Sequence, residues 1–167
     1  RQILDTTLRP KFEEYDDYIF FSVKSILKAA DGNLNVEQLS FVLGTNYILS
    51  FQEEHGDHFE DIRGKMQEGV GFIRKRASDY LLSQLLDAIL SNYFETIDSL
   101  NSALQEIEAE VLKNPSQNTL ITLEAHKRSA QLIKKSLSPF KDALASILDS
   151  HNSLIGQDSI KFYRELG

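Results

Sequence analysis

The sequence predicts an α/β chain of the α+β kind: a partial, mixed β-sheet layer with flanking helices, followed by a long antiparallel stalk helix hairpin, and no transmembrane helix. Three observations predict it. Residues 18–51 are dense in aromatic and β-branched residues and are interrupted by short turn signals. Residues 82–111 carry apolar side chains at i, i+3, i+4 and i+7 spacing, with no proline or glycine among them. Asn114-Pro115-Ser116 ends that run, and a second helical stripe follows it. The expected division is 1–70 for the sheet layer, 71–156 for the stalk hairpin and 157–167 for the start of a further helix.

Tyr18–Ser25 reads as the first strand, and Asp31-Gly32-Asn33 as a turn after it. Val36–Leu43 and Tyr47–Phe51 read as a hairpin closed by a three-residue loop, Gly44-Thr45-Asn46. Leu39, Phe41 and Leu43 alternate with Ser40 and Val42, which predicts that one face is buried more deeply. Asp57, with Glu60 three residues on, has the form of a capping box that opens a short helix. Phe59, Ile62 and Met66 form its apolar face, and Gly69-Val70-Gly71 breaks the chain after it.

The long helix opens within Arg74–Leu82 and runs to about Lys113. Its stripe is Leu82, Leu85, Leu86, Ile89, Leu90, Tyr93, Phe94, Ile97, Leu100, Leu104, Ile107 and Val111. At the α-helical rise it is roughly 55 Å long, beyond an ordinary globular helix. The next helix covers about Ser116–Asp149, with Leu120, Leu123, Lys127, Ala130, Ile133, Leu137, Phe140, Leu144 and Ile147 on its stripe. Pro139 predicts a kink there. Asn152–Gly156 is a turn, and Gln157–Leu166 starts a third helix.

The 167 residues are 41% hydrophobic and 26% charged, ordinary for a folded protein. A net charge of −7 argues against a nucleic-acid partner, which needs a basic surface. The absence of cysteine excludes disulfides, thiolate zinc sites and a cysteine nucleophile. No apolar run reaches the ~18–20 residues of a membrane span, and no signal peptide is visible. The chain starts at Arg1 and stops at Gly167 within a helical pattern, so a piece of a longer protein is expected.

Few residues offer chemistry. His55-Gly56-Asp57-His58, flanked by Glu53, Glu54, Glu60 and Asp61, is the one ligand-dense stretch. Zinc binding is one reading of it, and a polar turn with a helix cap is the simpler one. A hydrolase built on this stretch needs a third ligand that the spacing does not supply. His126 and His151 stand alone, and no Gly-x-Ser-x-Gly, P-loop or Gly-x-Gly-x-x-Gly motif occurs, so no enzyme is expected. Arg74-Lys75-Arg76 reads as a solvated basic patch with Asp79 and Glu68 as partners. Asp87 lies within the apolar run Leu81–Leu90, where a carboxylate requires a donor, a cation or another chain. A structural aspartate and an ion ligand both fit.

Taken in order, several segments resemble the CorA family of magnesium and cobalt transport proteins. They are Ile3-Leu4-Asp5, Arg9-Pro10-Lys11-Phe12-Glu13-Glu14-Tyr15, Leu49-Ser50-Phe51-Gln52-Glu53-Glu54, Ala77-Ser78-Asp79-Tyr80-Leu81-Leu82, Leu86-Asp87-Ala88-Ile89, Asn92-Tyr93-Phe94, Asn114-Pro115 and Phe162-Tyr163-Arg164-Glu165. The match covers nearly the whole chain.

The resemblance implies the cytoplasmic regulatory domain of a homopentameric transporter, on the cytoplasmic face of the inner membrane. Mg2+, and with it Co2+, is implied as transported and regulatory ion, with no organic cofactor and no nucleic acid. The membrane-spanning helices would follow the helix at Gln157, and further strands would precede Arg1. The implied metal ligands are Asp87 on the long helix and Glu165 on the pore-leading helix. The family's acidic pair falls on Arg1 and Gln2, a departure that weakens the site. Two alternatives remain: the zinc-transporting branch of the same superfamily, or a soluble helical protein-interaction scaffold. Without membrane helices, this stretch is expected to be soluble, and monomeric or in a non-native oligomer.

Overall fold

The computed structural model describes residues 9–28, 33–53, 58–113 and 116–167. Four strands, β1 (Lys11–Glu14), β2 (Ile19–Lys28), β3 (Leu34–Leu43) and β4 (Ile48–Gln52), form one sheet in the order β1-β2-β3-β4. Each pairs antiparallel with its neighbour. The described sheet is therefore antiparallel throughout, where a mixed sheet was expected. Strands adjacent in sequence are joined here by short connections, whereas a parallel pair needs a crossover of a dozen residues or more.

The β2–β3 register places Lys28 opposite Leu34; Asp31 and Gly32 of the expected turn lie outside the described residues. The β3–β4 loop is one residue longer than expected, because Leu43 pairs with Ile48. The Gly44 N–H donates to the Tyr47 carbonyl at 2.9 Å and closes the loop. The Tyr47 ring lies over Gly44, where a Cβ would stand 2.3 Å from it. Strand β1 was not anticipated. Its sequence, Lys-Phe-Glu-Glu, has little strand character, and pairing decides its conformation: Phe12 lies opposite Phe21 with the rings edge to face at 6.4 Å.

The apolar residues alternate as expected, but burial does not follow them: residues 37–41 of β3 are all buried. Ile19, Phe21 and Val23 of β2 and Leu39, Phe41 and Leu43 of β3 share the helix-facing side and are buried. Ser40, on the other face, is buried as well.

Helix α1 (Glu60–Glu68) has Phe59 at its N-cap with no side-chain cap bond, so the capping box expected at Asp57 and Glu60 does not open it. Asp57 itself is outside the described residues. Packing sets the start: the Phe59 ring is buried 6.1 Å from that of Phe41. Gly69 ends α1 in the left-handed conformation at φ 69°, which glycine adopts without a Cβ penalty.

Helices α2 (Ser78–Lys113), α3 (Gln117–Asp149) and α4 (Gln157–Leu166) match the expected spans. Ser116 caps α3 by accepting from the Thr119 N–H, and Pro139 lies inside the helix, which continues on both sides of it. α2 and α3 run antiparallel: Glu110 meets Thr119 near the turn, and Tyr93 meets Phe140 further down. None of the described helices is long and apolar enough to cross a membrane.

One core joins β2 and β3 to residues 82–93 of α2, residues 133–147 of α3, Ile155 and Tyr163. The predicted stripes are not buried along their full length. Phe94 is 64% exposed, and Val111, Leu120, Leu123, Lys127 and Ala130 are also exposed. The lengths explain the distal ones. Ten-residue strands span about 33 Å, whereas α2 spans about 54 Å, so the helices run past the sheet that covers them.

Candidate functional site

The start of α2 holds α4 through one buried carboxylate. Asp79 is 3% exposed. Its Oδ1 accepts from the Tyr80 N–H at 2.8 Å, and its Oδ2 accepts from the Gly156 N–H at 2.8 Å. Gly156 is the N-cap of α4 and has no side chain with which to cap the helix. Asp79 thus satisfies an orphan donor at the α4 N-terminus from 77 residues away, where negative charge is favoured.

The Tyr163 hydroxyl returns the contact by donating to the Asp79 carbonyl at 2.6 Å. Burial, and then the Asp79 charge, push the Tyr163 phenol well above the usual tyrosine range. The sequence reading gave Asp79 to the basic run at 74–76; the fold gives it to α4. The signal that could have found it is a helix starting at Gln157 with only glycine at its cap, which needs an acceptor from elsewhere.

Arg76 is likewise not a solvated charge. Its guanidinium lies 5.4 Å from the Phe72 ring, 5.2 Å from Tyr80 and 5.0 Å from Phe162. Its Nε is buried without a hydrogen-bond partner. The aromatic faces stabilise the cation in place of water. They tie the turn before α2 to the middle of α4.

Asp87 is exposed, so the burial argument for a partner does not hold within one chain. It faces an open groove of about 360 Å³ between α1 and α2, lined also by Glu60, Asp61, Glu95, Lys65 and His58. Glu165 is exposed on α4 and does not line this groove. Among the described residues no group of three or more His, Asp or Glu side chains is arranged to hold a metal. Asp87 on α2 and Glu165 on α4 are both exposed. Arg1 and Gln2 are outside the described residues.

Of the histidine-rich stretch, Glu54, His55, Gly56 and Asp57 are also outside the described residues. His58 is buried. Its Nε2 pairs with Glu37 of β3, and its Nδ1 lies 3.4 Å from the Ser25 Oγ of β2. Both ring nitrogens are engaged, so His58 pins the segment before α1 to the sheet. The Nδ1 atoms of His126 and His151 donate to the carbonyls of Thr122 and Asp149.

Residues 1–166 match the family model described as CorA-like Mg2+ transporter protein. The cobalt/magnesium transport protein CorA of Thermotoga maritima is 32% identical over 98% of this chain, and the chain spans 47% of that relative's length. The soluble domain of CorA from Methanocaldococcus jannaschii shares the fold with a TM-score of 0.86 at 18% identity, covering 99% of this chain and 66% of that one. The ZntB cytoplasmic domain from Vibrio parahaemolyticus shares it with a TM-score of 0.80 at 17% identity, covering 99% and 64%. The chain belongs to the CorA-like Mg2+ transporter protein family.

Proposed function

We propose that this chain is the cytoplasmic regulatory part of a pentameric divalent-cation transporter, which senses Mg2+ through Asp87 and Glu165 and passes the signal along α4 towards the membrane. Family membership over residues 1–166, and a relative named for cobalt and magnesium transport, support the ion class. The observation that carries the sensing role is the placement of two exposed carboxylates on α2 and α4, with no group of three ligands inside the described chain. Such residues suit Mg2+, which keeps much of its water shell and takes one or two carboxylates. Asp87 of one copy and Glu165 of the next then share a hydrated ion.

The binding favours the arrangement in which the copies are close. When the ion leaves, like charges repel and that arrangement loosens. The shift is limited to the difference in ion affinity between the two states. The Asp79 and Arg76 contacts make α4 follow α2. Residues 157–167 are then the root of the pore-leading helix.

The test is ion influx into vesicles carrying the full-length transporter. Asp87→Ala and Glu165→Ala are each expected to raise the internal Mg2+ needed to halt influx by about tenfold, within the usual range of coupling energies. Unchanged inhibition in both variants would sink the sensing role. Replacing Mg2+ by Zn2+ in the same assay separates the zinc-transporting alternative, whose cytoplasmic domain has the same fold.

A further inference from the structure

The outward face of α2 carries a pattern that the core does not use. Asp87, Ser91, Phe94, Asp98, Asn101 and Gln105 follow one another at alternating intervals of four and three, and all are exposed. That is the period of a seam between helices. Its large apolar member, Phe94, is 64% exposed and stands among Asp87, Glu95 and Asp98. None of these carboxylates belongs to an ion pair among the described residues. A lone aromatic amid acids on a helix face is a poor surface for water and a good anchor for a basic groove.

Such a groove lies elsewhere on the same chain. Arg9 and Pro10 approach Lys134, Lys135, Ser138 and Pro139 of α3 around an open space of about 410 Å³. One carboxylate, Asp142, offsets three cations there. The two prolines give apolar contact, and the cations can lie over an aromatic face.

We propose that Phe94 of one copy docks in the Arg9–Lys134–Pro139 groove of a second copy, with Glu95 and Asp98 against Lys134 and Lys135. The two surfaces differ, so the contact is heterologous: each copy offers one anchor and one groove, and repetition closes a ring or extends a filament. Closure to five rests on the pentameric reading above; the contact itself rests on charge sign and exposure.

The chain contains no cysteine, which makes the test clean. Two differently tagged copies, one Ser91→Cys, beside Phe94 on the same face, and the other Ser138→Cys, are mixed and treated with a short bismaleimide. A product carrying both tags is expected, and none from Ser91→Cys mixed with Thr45→Cys. In sedimentation, Phe94→Ala is expected to weaken self-association about 30-fold, the size of a buried aromatic anchor. K134E/K135E should weaken it as well, and mixing that variant with E95K/D98K should restore it. Every substituted position is exposed, so unchanged circular dichroism serves as the folding control.

Absence of the two-tag product, or association indifferent to both sets of variants, overturns the docking. The outcomes also separate the two readings. An intact cross-link with no Mg2+ effect on influx sinks the sensing role alone, and the reverse sinks the docking alone.

Discussion

Asp79 is the residue on which the placement of α4 depends. Removing its carboxylate takes the acceptor from the Gly156 N–H at the head of α4, while the Tyr80 N–H keeps only the longer bond to the Ala77 carbonyl at 3.2 Å. Asp79→Ala is expected to cost about 1–3 kcal/mol, read as a lower urea midpoint. Asp79→Asn keeps one acceptor and should lose less. A midpoint equal to wild type for Asp79→Ala would show that water replaces the carboxylate.

Two tyrosines set the alkaline limit. Burial, then the Asp79 charge, raise the Tyr163 phenol; burial raises Tyr93 against a smaller opposing pull from Ser136. The unfolded chain releases these protons near pH 10, and the folded chain only at higher pH. Above that pH the folded chain holds more protons than the unfolded one, so stability falls as pH rises. Below it the contribution is complete and flat. The urea midpoint should therefore hold steady from about pH 7 to 9 and decline above about pH 10. Tyr163→Phe should flatten the decline, and an undiminished decline in that variant would assign it elsewhere.

At the scale of elements, Arg76 is expected to act on α4 rather than on its own helix, since the Phe162 ring is a face of its cage. Arg76→Ala should speed hydrogen exchange in α4 by weakening its docking by about 1–2 kcal/mol. Arg76→Lys should recover part, because lysine keeps the charge but loses the planar stacking. Exchange unchanged in α4 would mean that Asp79 and Tyr163 hold it alone.

Most elements were legible because each carries its own period. The 3.6-residue stripes marked α2 and α3, and the alternation at Leu39, Phe41 and Leu43 marked β3. Strand β1 was not legible, since Lys-Phe-Glu-Glu forms a strand only where Phe12 can lie on Phe21. The start of α1 was misread for the same reason: Phe59 sits against Phe41, and that packing outweighs a side-chain cap.

At the scale of the whole molecule, the core covers only part of the helical hairpin. The amides of residues 82–93 and 133–147 are expected to exchange slowly, as members of the core. Those at 105–113 and 117–127, beyond the sheet, should exchange far faster. Uniform protection along both helices would point to a partner covering the far end. Phe94 and the acidic residues beside it lie on the side of α2 turned away from that core.

The sequence by itself determined β2 to β4 and the four helices in order, and the family, because periodicity and ordered motifs are local properties of a chain. It also named Asp87 and Glu165, by resemblance. The tertiary structure alone decided how far along each helix the predicted stripe is covered. It exposed Asp87 and Phe94, enclosed Arg76 in aromatic rings and set Asp79 against the first N–H of a helix 77 residues away. Those outcomes depend on what packs against each side chain, and a helical period fixes a face without naming its neighbour.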